Sequence, residues 1–337
     1  MKRYIFSILV CIFILIICIN MGSVHISFPD AVMITLHKLF GRNLPENVPQ
    51  MSVSIFWNIR FPRALAAFFV GGALAVSGAV MQSVLQNPLA SSYTMGVSSG
   101  ASLGAAFVII SGVQSFIMRS LLLPTVSFVF ALFTVLFVII VSNRIDRNLH
   151  SYTIILMGMV ISLFVSAILT LLSTLFPDHY QQIYYWMMGS FSAKKWTHVL
   201  IIIPVSIVLS IIIWCHSKEL DIMTFGDEQA MTIGVDTRAK KTFLIILTAL
   251  LTGVSVAFTG TIGFIDLVAP HVVRRVFGPK HKALIPMSFM YGGAFMSLAD
   301  LIARTLLSPR ELPVGAVTAL VGAPFFVVIF FMKRKRT

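Results

Sequence analysis

Few residues in this chain could do chemistry, and those that could are embedded in apolar sequence. Asp266 interrupts the run GTIGFIDLVAP at 260–270, and Asp300 stands four residues before Arg304 in ADLIARTLL at 299–307. A charge near the centre of a bilayer costs about 2.5–3.5 kcal/mol on insertion scales, so each such group needs a partner or a cavity. Its place on a short segment makes Asp266 a candidate for lining a path. The i,i+4 spacing makes Asp300 and Arg304 a candidate structural ion pair. Arg60 and Arg63 bracket Pro62, a residue suited to the first turn of a helix. Cations at a helix N-terminus oppose the macrodipole, so something must compensate them; snorkelling toward lipid phosphates is one answer. His25, His37, His150, His179, His198, His216 and His281 share no metal-ligand spacing with another donor. Cys11, Cys18 and Cys215 form no CxxC or Cys/His cluster, which argues against a disulfide framework or a zinc site. A G-x-x-x-x-G-K-[ST] phosphate loop is missing as well. The sequence therefore offers no catalytic group, no metal site and no cofactor of its own.

The elements that must hold these residues are membrane helices. Of 337 residues, 58% are hydrophobic and 11% charged, against about a quarter charged in a soluble domain. The net charge of +13 is dispersed in short runs between apolar blocks, as juxtamembrane charges are, which favours a membrane surface over nucleic acid. A spanning helix needs about 20 apolar residues, and nine stretches qualify, near 4–21, 61–83, 95–113, 120–141, 152–176, 197–215, 242–259, 283–303 and 314–332. Tyr4 to Ile19 is long for a signal peptide and no A-x-A site follows, so the first stretch is expected to remain as a span. Lys2 and Arg3 at one terminus and Lys333 to Arg336 at the other should face the same, cytoplasmic side. That parity requires an even number of crossings. The tenth is expected at Gly260–Pro270 as a half-helix preceded by irregular backbone, tolerated only where protein or water surrounds it. The expectation is an all-α integral membrane protein of about ten transmembrane helices, one short and broken, with cytoplasmic termini. It is one polytopic unit over 1–337, with an outer segment at 22–58 and a cytoplasmic loop at 216–241.

Gly96, Gly100 and Gly104 form a ladder in QNPLASSYTMGVSSGASLGA at 86–105, and Gly71, Ala75 and Ala79 a second stripe with Gly78 beside it. Such stripes let helices in lipid approach closely. Two readings stand: close packing alone, or a crowded bundle that slides around a translocation path. A weak echo between ALAVSGAVMQ (73–82) and VSVAFTGTIG (254–263) hints at an internal repeat.

Longer motifs carry a resemblance. The stretch NIRFPRALAAFFVGGALAVSGAVMQSVLQNPLASSYTMGVSSGASLGA (58–105) resembles the permease subunits of iron-siderophore, haem and cobalamin ABC importers, the FecCD-type family. YYWMMGSFS (184–192), FGDEQAMTIGV (225–235), GTIGFIDLVAPHVVRRVFGPKH (260–281) and ADLIARTLLSPRELPVGAVTALVGAPFF (299–326) follow in order. The family often has glycine where this chain has Asp266, and His271 fits its pattern as a structural residue. The resemblance implies a non-catalytic, multi-pass permease in the cell membrane of a bacterium. Its implied partners are a second permease (identical or different), an ATPase that holds the ATP and magnesium, an extracytoplasmic substrate-binding (lipo)protein and membrane lipids. It implies that Arg60, Arg63 and Arg304 form an outer rim for the binding protein. It also implies that 225–241 is the element coupled to the ATPase, with Asp227, Glu228, Ala230, Met231 and Gly234 as contact positions; a solvated surface helix is the other reading. The leading cargo is an iron-siderophore complex. The competing class is an ion-coupled secondary transporter that uses Asp266 and Asp300 with His271 as a relay.

Overall fold

Proline, glycine and capping residues set the boundaries. Ser27 accepts a hydrogen bond from the Asp30 backbone N–H and so caps α2 (Phe28–Phe40), which follows α1 (Lys2–Asn20) and ends at Gly41, φ +69°. α3 (Gln50–Ile55) runs through a π turn (Phe56–Arg60) into α4 (Phe61–Val84), with Pro62 in its first turn. A 3-10 turn (Ser92–Met95) ends at Gly96, φ +81°, where α5 (Val97–Ile110) begins. α6 (Phe116–Ile145), α7 (Ser151–Leu175), α8 (Pro177–Met187) and α9 (Trp196–Cys215) follow. The short α10 (Ser217–Met223) and α11 (Asp227–Thr232) precede α12 (Thr237–Thr259), α13 (Ile265–Phe277), α14 (His281–Thr305) and α15 (Val314–Arg334). This computed structural model describes residues 2–334 apart from 23, 25, 46–47 and 113–115, so His25, Lys335 and Arg336 lie outside the described residues. No strand occurs among the described residues.

Helices stand at all nine apolar stretches, and α13 occupies the tenth position. Among the described residues, seven helices are long and apolar enough to cross a membrane, with Gln50–Val84 counted as one. α5 differs from the expected 95–113 span, because Gly96 and Gly112 take positive φ and confine the helix to 14 residues. The half-helix is displaced from its expected place: 260–264 is irregular, Phe264 takes φ +69°, and α13 continues into the basic residues Arg274 and Arg275.

α4 is the axis. It is buried along nearly its whole length and packs against α14, α12, α13 and α9. Its small residues make that possible. A Cβ on Gly71 would strike Gly292 and Met296 of α14, and one on Gly78 would strike the Asp266 backbone of α13. The ladder on α5 works in the same way: a Cβ on Gly100 would lie 2.7 Å from the Phe130 carbonyl of α6, and one on Gly104 2.8 Å from that of Val126. Gly96 serves both: it takes φ +81°, and a Cβ there would lie 2.9 Å from Thr134 Cγ2 of α6. The peripheral helices α1 and α7 leave Phe6, Phe13, Leu163 and Phe164 exposed, as lipid-facing helices do.

Candidate functional site

Two interruptions of helical backbone, 85–91 and 260–264, meet beside the C-terminal third of α4. Ser91 donates its hydroxyl to Asp266 Oδ2, and Tyr93 donates to the Ile262 carbonyl at 2.9 Å. Gln82 on α4 donates to the Asp266 carbonyl at 3.1 Å, across the contact that Gly78 opens. Ser77 links to Ser92 at 2.5 Å and to Thr252 of α12 at 2.7 Å. Asp266 lies in the first turn of α13, where the helix dipole favours a carboxylate. It is buried, 2% exposed, and bonded at the junction. Two grooves of about 580 and 590 Å³ beside α12, between α6 and α9, contain none of the candidate residues.

At one end of α4 and α14 lie α10 and α11. Phe225 (74% exposed), Met231 (54%) and Ile233 (65%) are exposed apolar residues in and beside α11, termed the apolar ridge, and Glu228 is exposed among them. Gly234 follows at φ +91° with open space around it, and its N–H bonds back to the Met231 carbonyl. Two of the five expected contact positions differ from that picture. Ala230 is fully buried and anchors α11 in the core, because helical spacing turns it inward from Met231. Asp227 is half-buried: its carboxylate receives Lys241 Nζ at 2.5 Å and Gln86 Nε2 at 3.4 Å. Asp221 on α10 accepts from His281 Nδ1 at 2.6 Å and from the His281 N–H at 2.9 Å.

The opposite end holds the arginines, and here the expectation of an open rim needs correction. Arg60, Arg63 and Arg304 are 4%, 6% and 9% exposed. Arg60 donates to the Asn20 carbonyl at 2.7 Å and to that of Val24; Arg304 donates to that of Cys18. These carbonyls belong to the C-terminal end of α1 and the residues just after it, where orphan acceptors and the negative pole of the dipole lie. Arg63 grips Asp300 through Nε at 3.0 Å and Nη2 at 2.8 Å, and reaches Glu311 at 2.7 Å. The pairing expected between Asp300 and Arg304 is present at 3.8 Å, but Arg63 holds the carboxylate more closely. The compensation demanded by cations at the start of α4 thus comes from α1, Asp300 and Glu311.

Among the described residues no cluster of three His, Cys, Asp or Glu could hold a metal ion. Set beside known proteins, residues 9–332 match the sequence model of the FecCD transport family. The chain belongs to that family. It is 37% identical to an uncharacterized ABC transporter permease, YvrB of Bacillus subtilis, over 95% of this chain and 91% of that one. It is 35% identical to the cobalamin import system permease BtuC of Halobacterium salinarum, covering 85% and 76%. The same identity holds against the hemin transport system permease HmuU of Yersinia pestis, covering 84% of each. A solved inward-facing conformation of a metal-chelate type ABC transporter matches with TM-score 0.85 and 29% identity, covering 98% of this chain and all of that one.

In this FecCD-family chain several residues escaped the sequence reading. Glu311, Asp221 and His281 gain their meaning from partners 248, 60 and 198 positions away, separations that no local pattern reports. Phe225 and Ile233 carried a local signal: apolar residues flanking a short acidic helix inside a polar loop.

Proposed function

We propose that this chain is the non-catalytic permease subunit of a binding-protein-dependent ABC importer in a bacterial cell membrane. It crosses the bilayer about ten times with both termini cytoplasmic, and pairs with a second permease, identical or different. The observation that carries the proposal is the apolar ridge Phe225–Met231–Ile233 on a polar loop of a chain that has no phosphate loop of its own. An exposed apolar patch rimmed by charge suits a protein partner, and an ATP-driven permease without a nucleotide site needs one. A separate ATPase would hold ATP and magnesium and receive α11, with Glu228, Met231 and Gly234 at the contact and Asp227 and Ala230 fixing its pose.

The cargo is a metal chelate, for which the named activities of the BtuC, HmuU and metal-chelate relatives give support; an iron-siderophore complex is our choice. The junction of Ser91, Asp266 and Gly78 is the element that rearranges as the path opens, and the ladder at Gly96, Gly100 and Gly104 is the close packing beside it. The binding protein docks at the arginine end. Arg60, Arg63 and Arg304 brace that end from inside, and exposed cations such as Arg310 meet the partner's acidic residues. An ion-coupled transporter finds no support: Asp300 is clamped by Arg63, and Asp266 is bonded to Ser91.

The test is uptake by liposomes that contain this chain, its ATPase and the binding protein. Cargo entry should require internal ATP and survive collapse of ion gradients. Uptake driven by a proton or sodium gradient without ATP would overturn the proposal.

A further inference from the structure

α10 and α11 are joined by three residues, so a push on α11 reaches α10, and α10 carries Asp221. From Asp221 a chain of polar contacts, part-buried at Asp221 and at Arg274 and buried at Ser83, leads into the bundle. Its carboxylate has no proton to give, so both contacts from His281 are donations, and Nδ1 carries the hydrogen. His281 is the first residue of α14, where an anion satisfies an orphan N–H and meets the positive end of the dipole. The side chain is 2% exposed, and its Nε2 lies 2.7 Å from Ser83 Oγ in the last turn of α4. Ser83 Oγ is also 3.0 Å from the Ala79 carbonyl. One hydroxyl hydrogen serves one acceptor, so Ser83 donates either to a neutral His281 ring or to Ala79 while a charged ring donates to Ser83. Arg274 of α13 lies against the same turn, bonding Gln82 Oε1, the Ala79 carbonyl at 3.2 Å and, at 3.5 Å, Ser83 Oγ. Gln82 in turn holds the Asp266 carbonyl.

We propose that Asp221, His281 and Ser83 are positioning residues that carry a displacement of α10–α11 into α4, and through Arg274 and Gln82 into the Ser91–Asp266 junction. The proposal rests on the reading of α11 as the ATPase contact. Three features support transmission. The chain joins four elements, α10, α14, α4 and α13, by directional bonds. His281, Ser83 and Gln82 are buried, where unmade bonds are expensive and geometry is held. Its outer member, Asp221, has a side chain 38% exposed beside the loop that bears the apolar ridge.

The experiment uses the complete transporter in liposomes and measures cargo imported per ATP hydrolysed, together with ATPase capture by the purified permease. His281→Asn keeps a donor for Asp221 and drops Ser83; His281→Gln reaches toward Ser83 and drops Asp221. Ser83→Ala and Asp221→Ala cut the chain with little change of shape. At normal membrane abundance and normal ATPase capture, each should lower cargo per ATP by about tenfold, the effect of losing one bond to a charged or buried group. Asp221→Asn keeps an acceptor for Nδ1 and should retain most of the coupling. An unchanged ratio in Ser83→Ala and His281→Asn overturns the proposal. So does loss of ATPase capture in these variants, because the bonds would then shape the docking surface instead of transmitting its motion. Failure of the wild-type chain to capture the ATPase would instead remove the reading on which the proposal rests.

Discussion

The two ends of α4 are both rich in charge, yet they are built in opposite ways. At the arginine end the three buried arginines turn inward: Arg63 to Asp300 and Glu311, Arg60 and Arg304 to carbonyls at the end of α1 and just after it. At the α10–α11 end the charges, Asp221, Asp227 and Lys241, tie a small exposed loop to the long helices. The first arrangement fastens the chain to itself. The second fastens to the bundle a segment whose apolar surface still lacks a partner. Similar residue types at opposite ends of the same helices thus do different work, and what separates them is whether the bonded element itself remains exposed.

The largest effect should come from breaking the closed end. Asp300→Ala leaves Arg63 and Arg304 buried beside each other without their shared carboxylate, and removing one partner of a buried pair costs about 3–5 kcal/mol. The expected outcome is a sharp fall in thermal stability in detergent and in membrane abundance. Arg60→Glu with Arg63→Glu should fail in the same way before any docking can be measured. Normal abundance of Asp300→Ala would mean that the cluster is not the fastener described here.

The opposite end should respond in the opposite sense. Phe225→Asp with Ile233→Asp removes apolar surface that stands exposed, so thermal stability should hardly change. ATPase capture should fall by about 2 kcal/mol or more, the scale of an interface hot spot. Titration of the detergent-solubilised permease with the ATPase reads the loss. Gly234→Pro is a smaller variant on the same theme. Its φ of +91° is closed to proline, and its N–H to Met231 would be lost. A backbone outlier of this kind costs about 1–3 kcal/mol, here confined to the end of α11, so reduced uptake with normal abundance is the expected result.

Much of this architecture was legible in the sequence because bilayer length and backbone satisfaction leave few solutions. Helices stand at the nine apolar stretches, and α13 begins inside the segment where the parity of basic termini placed a tenth. The positive-φ glycines at 96 and 112 trimmed α5, a turn effect that apolar length does not register. The candidate sites were less legible. Helical spacing put Asp300 beside Arg304, but the tighter partner, Arg63, lies 237 positions away, brought near by the approach of α4 to α14 across Gly71 and Gly292. A cation at a helix start looks exposed in sequence, and only the C-terminal end of α1 reveals why Arg60 is buried.

The smallest expected effect concerns the ion pair that joins α10 to α12. Lys240 Nζ lies 3.0 Å from Glu219 Oε1, and both side chains are about a third exposed, at 32% and 28%. Partial burial works to raise the Glu219 pKa, but the hydrogen bond from Lys240, one from its own backbone N–H and the Lys240 and His216 charges take it below its ordinary value. A carboxyl with a depressed folded-state pKa adds stability above its unfolded pKa and loses that contribution as pH falls through the folded value. The pair therefore stabilises the loop at neutral pH and stops doing so in acid, below the usual glutamate range. Exposed pairs contribute only about 0–1 kcal/mol, so Lys240→Ala should lower the stability of the α10–α12 contact slightly at pH 7 and not at all in acid. Hydrogen exchange of the α10 amides across that range measures it. Equal protection of wild type and variant at pH 7 would assign the anchoring of α10 to Asp221 and the buried Leu220 and Met223 alone. A large loss would make the α10–α11 end as dependent on its ion pairs as the arginine end.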